Sequence, residues 1–427
     1  MSETSKVDKK PEMTAAEQAI VDIFGQKLGD FPGNSEVMST RDSVVEQFKR
    51  VGIPSRKREY WHYTDLRTLL KTVPNFSDEG DGLSRDPLLP KGSLYAIFNG
   101  KTLDAPQQVQ SITAKRVADE LANEHFTLKP DISDDDFVGQ INTAFVSDGW
   151  LLEVADGAKI PDPIELQMIS PSGQAHAYSQ IKVGNNSSVT FIERQLGGEK
   201  STFVTSVQDL KIGEGADVTW IIVRDRGFDA TQFSKFLANL DKKAKLTLYI
   251  VNIASELNRQ EIDIEMPGEG GNFQLRTINL LAGASHSDVT MFVRHIGEDT
   301  VSTEIVRNVV ADKARGAFQG MIKVSREAQK TDARMTCNSL ILSDDAEFDS
   351  KPELEIFADD VACGHGSTVA EIDREQLFYL MARGIEESVA RGLLVKAFVS
   401  QLIDDVENDQ MKDVIVALIN QWLEKHL

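Results

Sequence analysis

Cysteine, long apolar runs and positive charge are all scarce in this sequence, and each scarcity closes off a class of protein. Two cysteines in 427 residues, Cys337 and Cys363, cannot build a disulfide framework, which points to a reducing cytoplasm. The longest unbroken apolar stretches, such as Ile221-Ile222-Val223, are far too short to span a bilayer, so a soluble chain is expected. The opening "MSETSKVDKKPEM" has no apolar segment behind it, which argues against a secretory signal, and residues 1–13 read as a disordered lead-in. Lys and Arg number 46 against 67 Asp and Glu, a net charge of −21 that repels phosphate backbones and anionic lipid. Neither nucleic acid nor membrane is therefore an expected partner. Familiar enzyme signatures are missing too: there is no GxGxxG, HExxH, GxSxG or CxxC. Gly100-Lys101-Thr102 copies the tail of a phosphate-binding loop, but Tyr95 stands where that loop needs its first glycine.

What is present changes character along the chain. Residues 14–149 read as a helical and mixed domain. Thr14 and Glu17 form a capping-box pair ahead of Ile20, Ile23, Phe24 and Leu28, and a second helix is expected over 36–50, stopped by Gly52 and Pro54. The stretch "SRKREYWHYTDLRTLL" gathers basic and aromatic residues that can stack on bases, yet no wider positive surface supports it, so it reads as an amphipathic packing junction. Residues 72–91, rich in Pro, Gly, Asp and Ser, read as a long loop.

Residues 150–371 read as a β core. Segments such as "SVTFIERQ", "DVTWIIVRD", "KLTLYIVNI", "FQLRTINLL" and "DVTMFVRHI" alternate apolar and polar residues, with almost no room between them for crossover helices. Glycines recur at 184, 198, 213 and 227, then at 268, 283 and 297, steps of 14 or 15 residues. Such an interval suggests stacked units that bury their apolar faces only against one another, which favours a solenoid over a sandwich. From 372 to 427 the period becomes helical. Asp373 and Gln376 form a capping pair, Gly384 closes that helix, and Ser388 opens the next, whose Leu393, Leu394, Phe398 and Leu402 form a stripe fit for core or for docking.

The stretch "DDVACGHGSTVAEIDREQLFYL" carries the densest chemistry. Residues two apart on a strand share a face, so Cys363 and His365 could meet one metal ion, with Cys337, Asp359, Asp360 and Glu371 as further candidate donors or a second chain completing the set. A Cys-His nucleophilic pair and a glycine-flanked turn holding an inert cysteine are the competing readings.

The same stretch, preceded by "KTDARMTCNSLILSDDAEFDSKPELEIFADD", resembles the C-terminal signature of the SufB/SufD family of iron–sulfur cluster assembly proteins. "REYWHYTDL" is similar to the family's N-terminal aromatic motif. SufB-type members carry a cysteine where this chain has Leu380, whereas the run Cys363-Gly364-His365-Gly366 resembles the SufD type. The resemblance implies a right-handed parallel β-helix flanked by helices, and a non-catalytic scaffold subunit. It implies pairing with a SufB-type paralogue through the ends of the β-helix, and docking of the ATPase SufC by the C-terminal helices, at Leu393, Leu394, Phe398 and Leu402. It further implies a nascent iron–sulfur cluster shared transiently with SufB, with His365 and neighbouring Cys363 as ligands and no cofactor held tightly by the isolated chain. A homodimer of the isolated chain is compatible with it. The acidic pair Asp359 and Asp360 would suit cation entry. The readings from other classes are a SufB-like subunit, a β-helix enzyme acting on polysaccharide, and a cysteine-dependent hydrolase.

Overall fold

Strands in the middle of the chain find their hydrogen-bonding neighbour not in the next strand but in the one after it. In the computed structural model, Lys245–Ile253 runs parallel between Asp217–Asp225 and Asn272–Leu281, while the intervening Leu257–Met266 runs parallel between Ala230–Leu240 and His286–His295. The chain thus alternates between two sheets, two strands to a coil, as a parallel β-solenoid. The described residues are 13–78, 86–104, 109–123, 126, 128, 134–198, 200–227, 229–253 and 255–426, and residues 1–12 of the expected lead-in lie outside them. Among them, one sheet has ten strands and the other nine.

The glycine interval turns out to mark half-coils. His286 lies opposite Arg315, 29 positions on, and glycines at 184, 213, 268 and 297 fall at one row of corners while those at 198, 227 and 283 fall at the other. At the first row the chain turns through a residue of positive φ in seven successive coils: Gly157, Asn186, Gly215, Lys243, Gly270, Asp299 and Lys330. Asn and Gly tolerate that conformation at small cost. Each of these residues also donates its N–H to the corner of the next coil, as Asn186 does to the carbonyl of Glu214 at 2.8 Å and Gly215 to that of Lys242 at 2.9 Å. The ladder therefore continues around the bend and leaves those N–H groups satisfied.

Among the strands that the sequence reading above does not single out are Ile164–Ser170, Gly173–Val183 and Ala230–Leu240. Ile164–Ser170 is buried on both faces, and the first halves of the other two are as well. In the first of them Ile164, Leu166 and Met168 alternate with Glu165 and Gln167, yet the polar positions are buried as well, so the pattern there does not mark a wet face. The solenoid also begins before the expected boundary at residue 150. Ser93–Phe98 joins the ten-stranded sheet against Ile164–Ser170, and Ile112–Arg116 joins the other sheet. At this end the last pairings are antiparallel: the two-residue Lys101–Thr102 on one sheet and Ile112–Arg116 on the other. At the opposite end, Glu347–Ile356 and Ala362–Glu371 each have a neighbour on one side only.

Helices cover the outer faces. N-terminal helices Ala15–Lys27, Ser35–Val51 and Phe137–Phe145 pack with Trp61 onto Phe203, Phe233 and Leu257 of the nine-stranded sheet. The Thr14–Glu17 capping box forms as the sequence suggests. C-terminal helices Glu387–Asp404 and Asp409–His426 pack onto Ile221, Tyr249, Val251, Ile278 and Val309 of the ten-stranded sheet. Glu386, rather than the expected Ser388, caps the first of these, accepting from the N–H of Val389. No helix among the described residues is long and apolar enough to cross a membrane.

The basic and aromatic stretch is a clamp between helices and solenoid. Trp61 is fully buried, with the Arg259 guanidinium 3.8 Å from its ring centre. Arg259 donates to the Tyr60 carbonyl at 2.9 Å and pairs with Asp288, which also accepts from Thr64. One buried ion pair thus anchors residues 60–64 from the solenoid side. Trp61→Ala is expected to destabilise the protein by about 3–5 kcal/mol, read as a lowered midpoint in urea, with the N-terminal helices becoming the first site of proteolysis.

Candidate functional site

Strand parity decides what the terminal strand presents. Cys363, His365 and Ser367 stand opposite Ala333, Met335 and Cys337, all three of which are completely buried in the solenoid interior. The terminal residues therefore share the inward-facing row, but among the described residues no further coil lies above them. Cys363 is half-buried and His365 exposed. Across the interior, the last strand of the other sheet contributes Phe348, Ser350, Pro352 and Leu354 in the same parity as buried Phe318 and Ile322. The solenoid ends as an opened core, rimmed by the free edges of two parallel strands. On the outer face of the terminal strand, Gly364 and Gly366 have nothing within 4 Å of where a Cβ would stand.

Both thiols are pushed up from the ordinary value, away from the thiolate. Burial pushes the Cys363 thiol up from its ordinary value and the charge of Asp332 adds to the rise, while a backbone hydrogen bond from Ala333 works against it. Cys337, buried and receiving an N–H from Asn308 at 3.4 Å, is pushed up by burial to about 11. A nucleophilic cysteine needs the opposite shift, so the Cys-His catalytic reading loses its chemical basis. Two residues apart on one strand, Cys363 and His365 stand about 6.5–7 Å apart along the backbone, a spacing that suits two ligands of a bridging group better than a proton-transfer pair.

No three His, Cys, Asp or Glu side chains among the described residues gather closely enough to hold a metal ion. Cys337, Asp359, Asp360 and Glu371 therefore do not complete a site with Cys363 and His365. Asp359 and Asp360 are exposed at the last corner, where the Asp360 carbonyl accepts from the N–H of Lys330 at 2.6 Å and its own N–H donates to Gln329 at 3.0 Å. They belong to the turn and not to the interior row.

The helical stripe divides. Leu402 is buried against the sheet with Val395 and Val399, so the structure removes it from any open docking surface. Phe398 is partly buried under the Arg307 guanidinium, 5.4 Å from its ring centre, and Leu394 is partly buried, while Leu393 is exposed. Sequence reading missed the neighbouring surface. Helix Arg374–Ala382 buries none of its residues, and Phe378, at 72% exposure, stands with Tyr379, Met381 and Val389 as large apolar side chains in the open. A groove of about 390 Å³ between Tyr379, Leu380 and Leu394 adjoins them. The signal was available: "REQLFYLMAR" is too apolar for a helix with no face to bury.

Glu304 was missed as well. It lies in the interior row beneath Met335 and His365, fully buried, and neither carboxylate oxygen has a well-formed hydrogen bond to the described residues. Burial pushes its carboxyl up to about 8.

Residues 168–398 match the family model described as SUF system FeS cluster assembly, SufBD core domain. The chain is 25% identical to the iron–sulfur cluster assembly protein SufD of Escherichia coli, over 89% of this chain and 91% of that one. It is 25% identical to an iron–sulfur cluster assembly SufBD family protein of Synechocystis, over 93% and 94%. Against SufD of Bacillus subtilis it is 23% identical over 73% and 72%.

Because folded Glu304 keeps a proton that the unfolded chain releases above about pH 4.5, each pH unit between there and about 8 subtracts stability. Glu304→Gln is therefore expected to gain on the wild type by on the order of 3 kcal/mol between about pH 5 and about pH 8; parallel urea-denaturation curves across that range would contradict a buried protonated acid. The matched core domain, the solenoid that carries it and the SufD-named relatives along most of its length agree that this chain belongs to the SufBD family of the SUF iron–sulfur cluster assembly system.

Proposed function

We propose that this chain is the SufD-type subunit of a cytoplasmic iron–sulfur cluster assembly scaffold, acting through ligand donation and docking and not through turnover of its own. The observation that carries this reading is the opened end of the core: Cys363 and His365 occupy inward positions that every earlier coil covers, on a strand whose outer edge has no neighbour. A SufB-type paralogue that adds its own end strands would continue both sheets by main-chain hydrogen bonds and bring further ligands over His365 and Cys363. The cluster is then cargo shared across the joint, with donors from both chains. Bare Gly364 and Gly366 leave the outer face of the end strand flat for close approach. In the absence of a SufB-type partner, the same edges are available to a second copy of this chain, giving a homodimer.

For SufC, the ATPase that would perform the hydrolysis, the docking surface moves from the buried stripe to the exposed Phe378, Tyr379, Met381, Val389 and Leu393. Apolar side chains presented together in the open supply the centre that a partner can desolvate on binding. Leu380, at the position of the SufB-type cysteine, lies beside this surface in the groove with Leu394.

Two outcomes test the reading. His365→Ala should leave the fold and the complex intact while cluster formation falls, measured as iron and acid-labile sulfide per reconstituted complex; a wild-type yield would remove His365 from the ligand set. Replacing Phe378 and Tyr379 together by Ala in the full chain should weaken binding of the ATPase subunit at least about tenfold, read by calorimetry, and an unchanged affinity would place the docking site elsewhere.

A further inference from the structure

One side of the solenoid interior is polar along most of its length. In the ten-stranded sheet, successive coils place Gln195, Arg224, Asn252, Asn279, Asn308 and Ser339 in a single inward row. Facing them from the other sheet, Gln232, Asn258 and Ser287 form a second row. These are buried side chains in a lumen whose remaining rows are mostly apolar.

The side chains satisfy each other only in part. Asn252 and Asn258 both donate to the Ser287 hydroxyl, at 2.9 and 3.1 Å, and Asn279 donates to Asn308 at 2.7 Å. Each amide thus uses an N–H and leaves its carbonyl oxygen without a donor: the side-chain oxygens of Gln232, Asn252, Asn258 and Asn279 have no partner among the described residues. Arg224 donates through Nε to Gln195 at 2.8 Å and through Nη2 to Gln260, while its Nη1 has no acceptor. Turning an amide over would exchange an orphan oxygen for an orphan nitrogen, so rotation cures none of the four. Five unpaired polar atoms, left dry, would cost a large part of a domain's whole stability.

We infer that this side of the lumen binds a file of ordered water molecules along the solenoid axis, from Arg224 to Asn279. The chemistry selects water. Four orphan acceptors need donors and one orphan N–H needs an acceptor, and a single small molecule that does both can bridge each gap. Arg224 and Asn252 are register partners on adjacent strands of the inward row, an arrangement in which one water can accept from Nη1 and donate to the Asn252 oxygen. The Asn279–Asn308–Ser339 hydrogen bonds then carry the polar row on without a break, Asn308 donating to Ser339 at 3.0 Å. Ser339 lies one strand short of the open end, so the polar row stops just behind the terminal strand. The inference concerns the lumen alone and is independent of what covers that end.

A crystal structure of the full chain at about 1.5 Å should show water oxygens about 2.7–3.2 Å from the side-chain oxygens of Asn252, Asn258 and Asn279 and from Nη1 of Arg224. In solution, oxygen-17 relaxation dispersion should count long-lived internal waters, and the count should fall by at least two in Asn252→Leu/Asn279→Leu. Amides found paired with one another and dry, or a halide instead of water beside Arg224, would overturn the inference, as would a count that the substitutions leave unchanged. If that double variant fails to fold, the wild-type crystal decides alone.

Discussion

Everything in this molecule hangs on the parallel ladder from coil to coil. A single coil has one strand in each sheet and cannot bury its own apolar face; it becomes stable only when the coils before and after it supply both hydrogen bonds and lid. The corner hydrogen bonds extend that ladder around the bend, which fixes the register of each coil on its neighbour. Outer helices, inner rows and the terminal edge are all placed by that register, so the position of His365 is determined by strands hundreds of residues earlier in the chain.

The ladder also sorts chemistry by parity. A residue one position removed from Cys363 would face outward, towards solvent, instead of lying above Ala333 and the buried interior. For the same reason an ionisable side chain such as Glu304 can be carried inside: the strand cannot slip to expose it without turning every neighbour over. The interior therefore combines apolar rows with a polar row and a protonated acid, a mixture that no isolated sheet face would hold in place.

How much of this could be read from sequence depends on which faces are covered. Asp332–Ile341 has one wet face and displays its alternation, whereas in Ile164–Ser170 the polar members of the alternation, Glu165 and Gln167, are themselves buried, so the pattern alone does not tell which outer face is covered. The glycine interval was visible because close corners are built from small residues, but it recorded half-coils, since both rows of corners use them. Cys363 and His365 were legible as a pair by simple strand geometry. Their opened position was not, because an uncovered core row resembles any other stretch of strand until its missing neighbour is known. Leu402 and Phe378 show the converse error: a helical stripe reveals that a face is apolar, and only packing reveals which apolar face has already been used. Family likeness pointed to a stretch in each case, while the exposure of Phe378 and the burial of Glu304 emerge only from the packing.

The two ends of the solenoid differ in a way that limits growth. At the first end, Lys101–Thr102 and Ile112–Arg116 run against the direction of all later strands, so another parallel coil finds no matching register there. At the last end both edges are free and parallel. A body with one receptive end and one blunt end can be joined once, and then the assembly is finished. Stacked coils are otherwise the geometry of fibres; here the reversed strands make the chain a terminus, and any joint formed at the open end is sealed between two blunt ones if the partner is built alike.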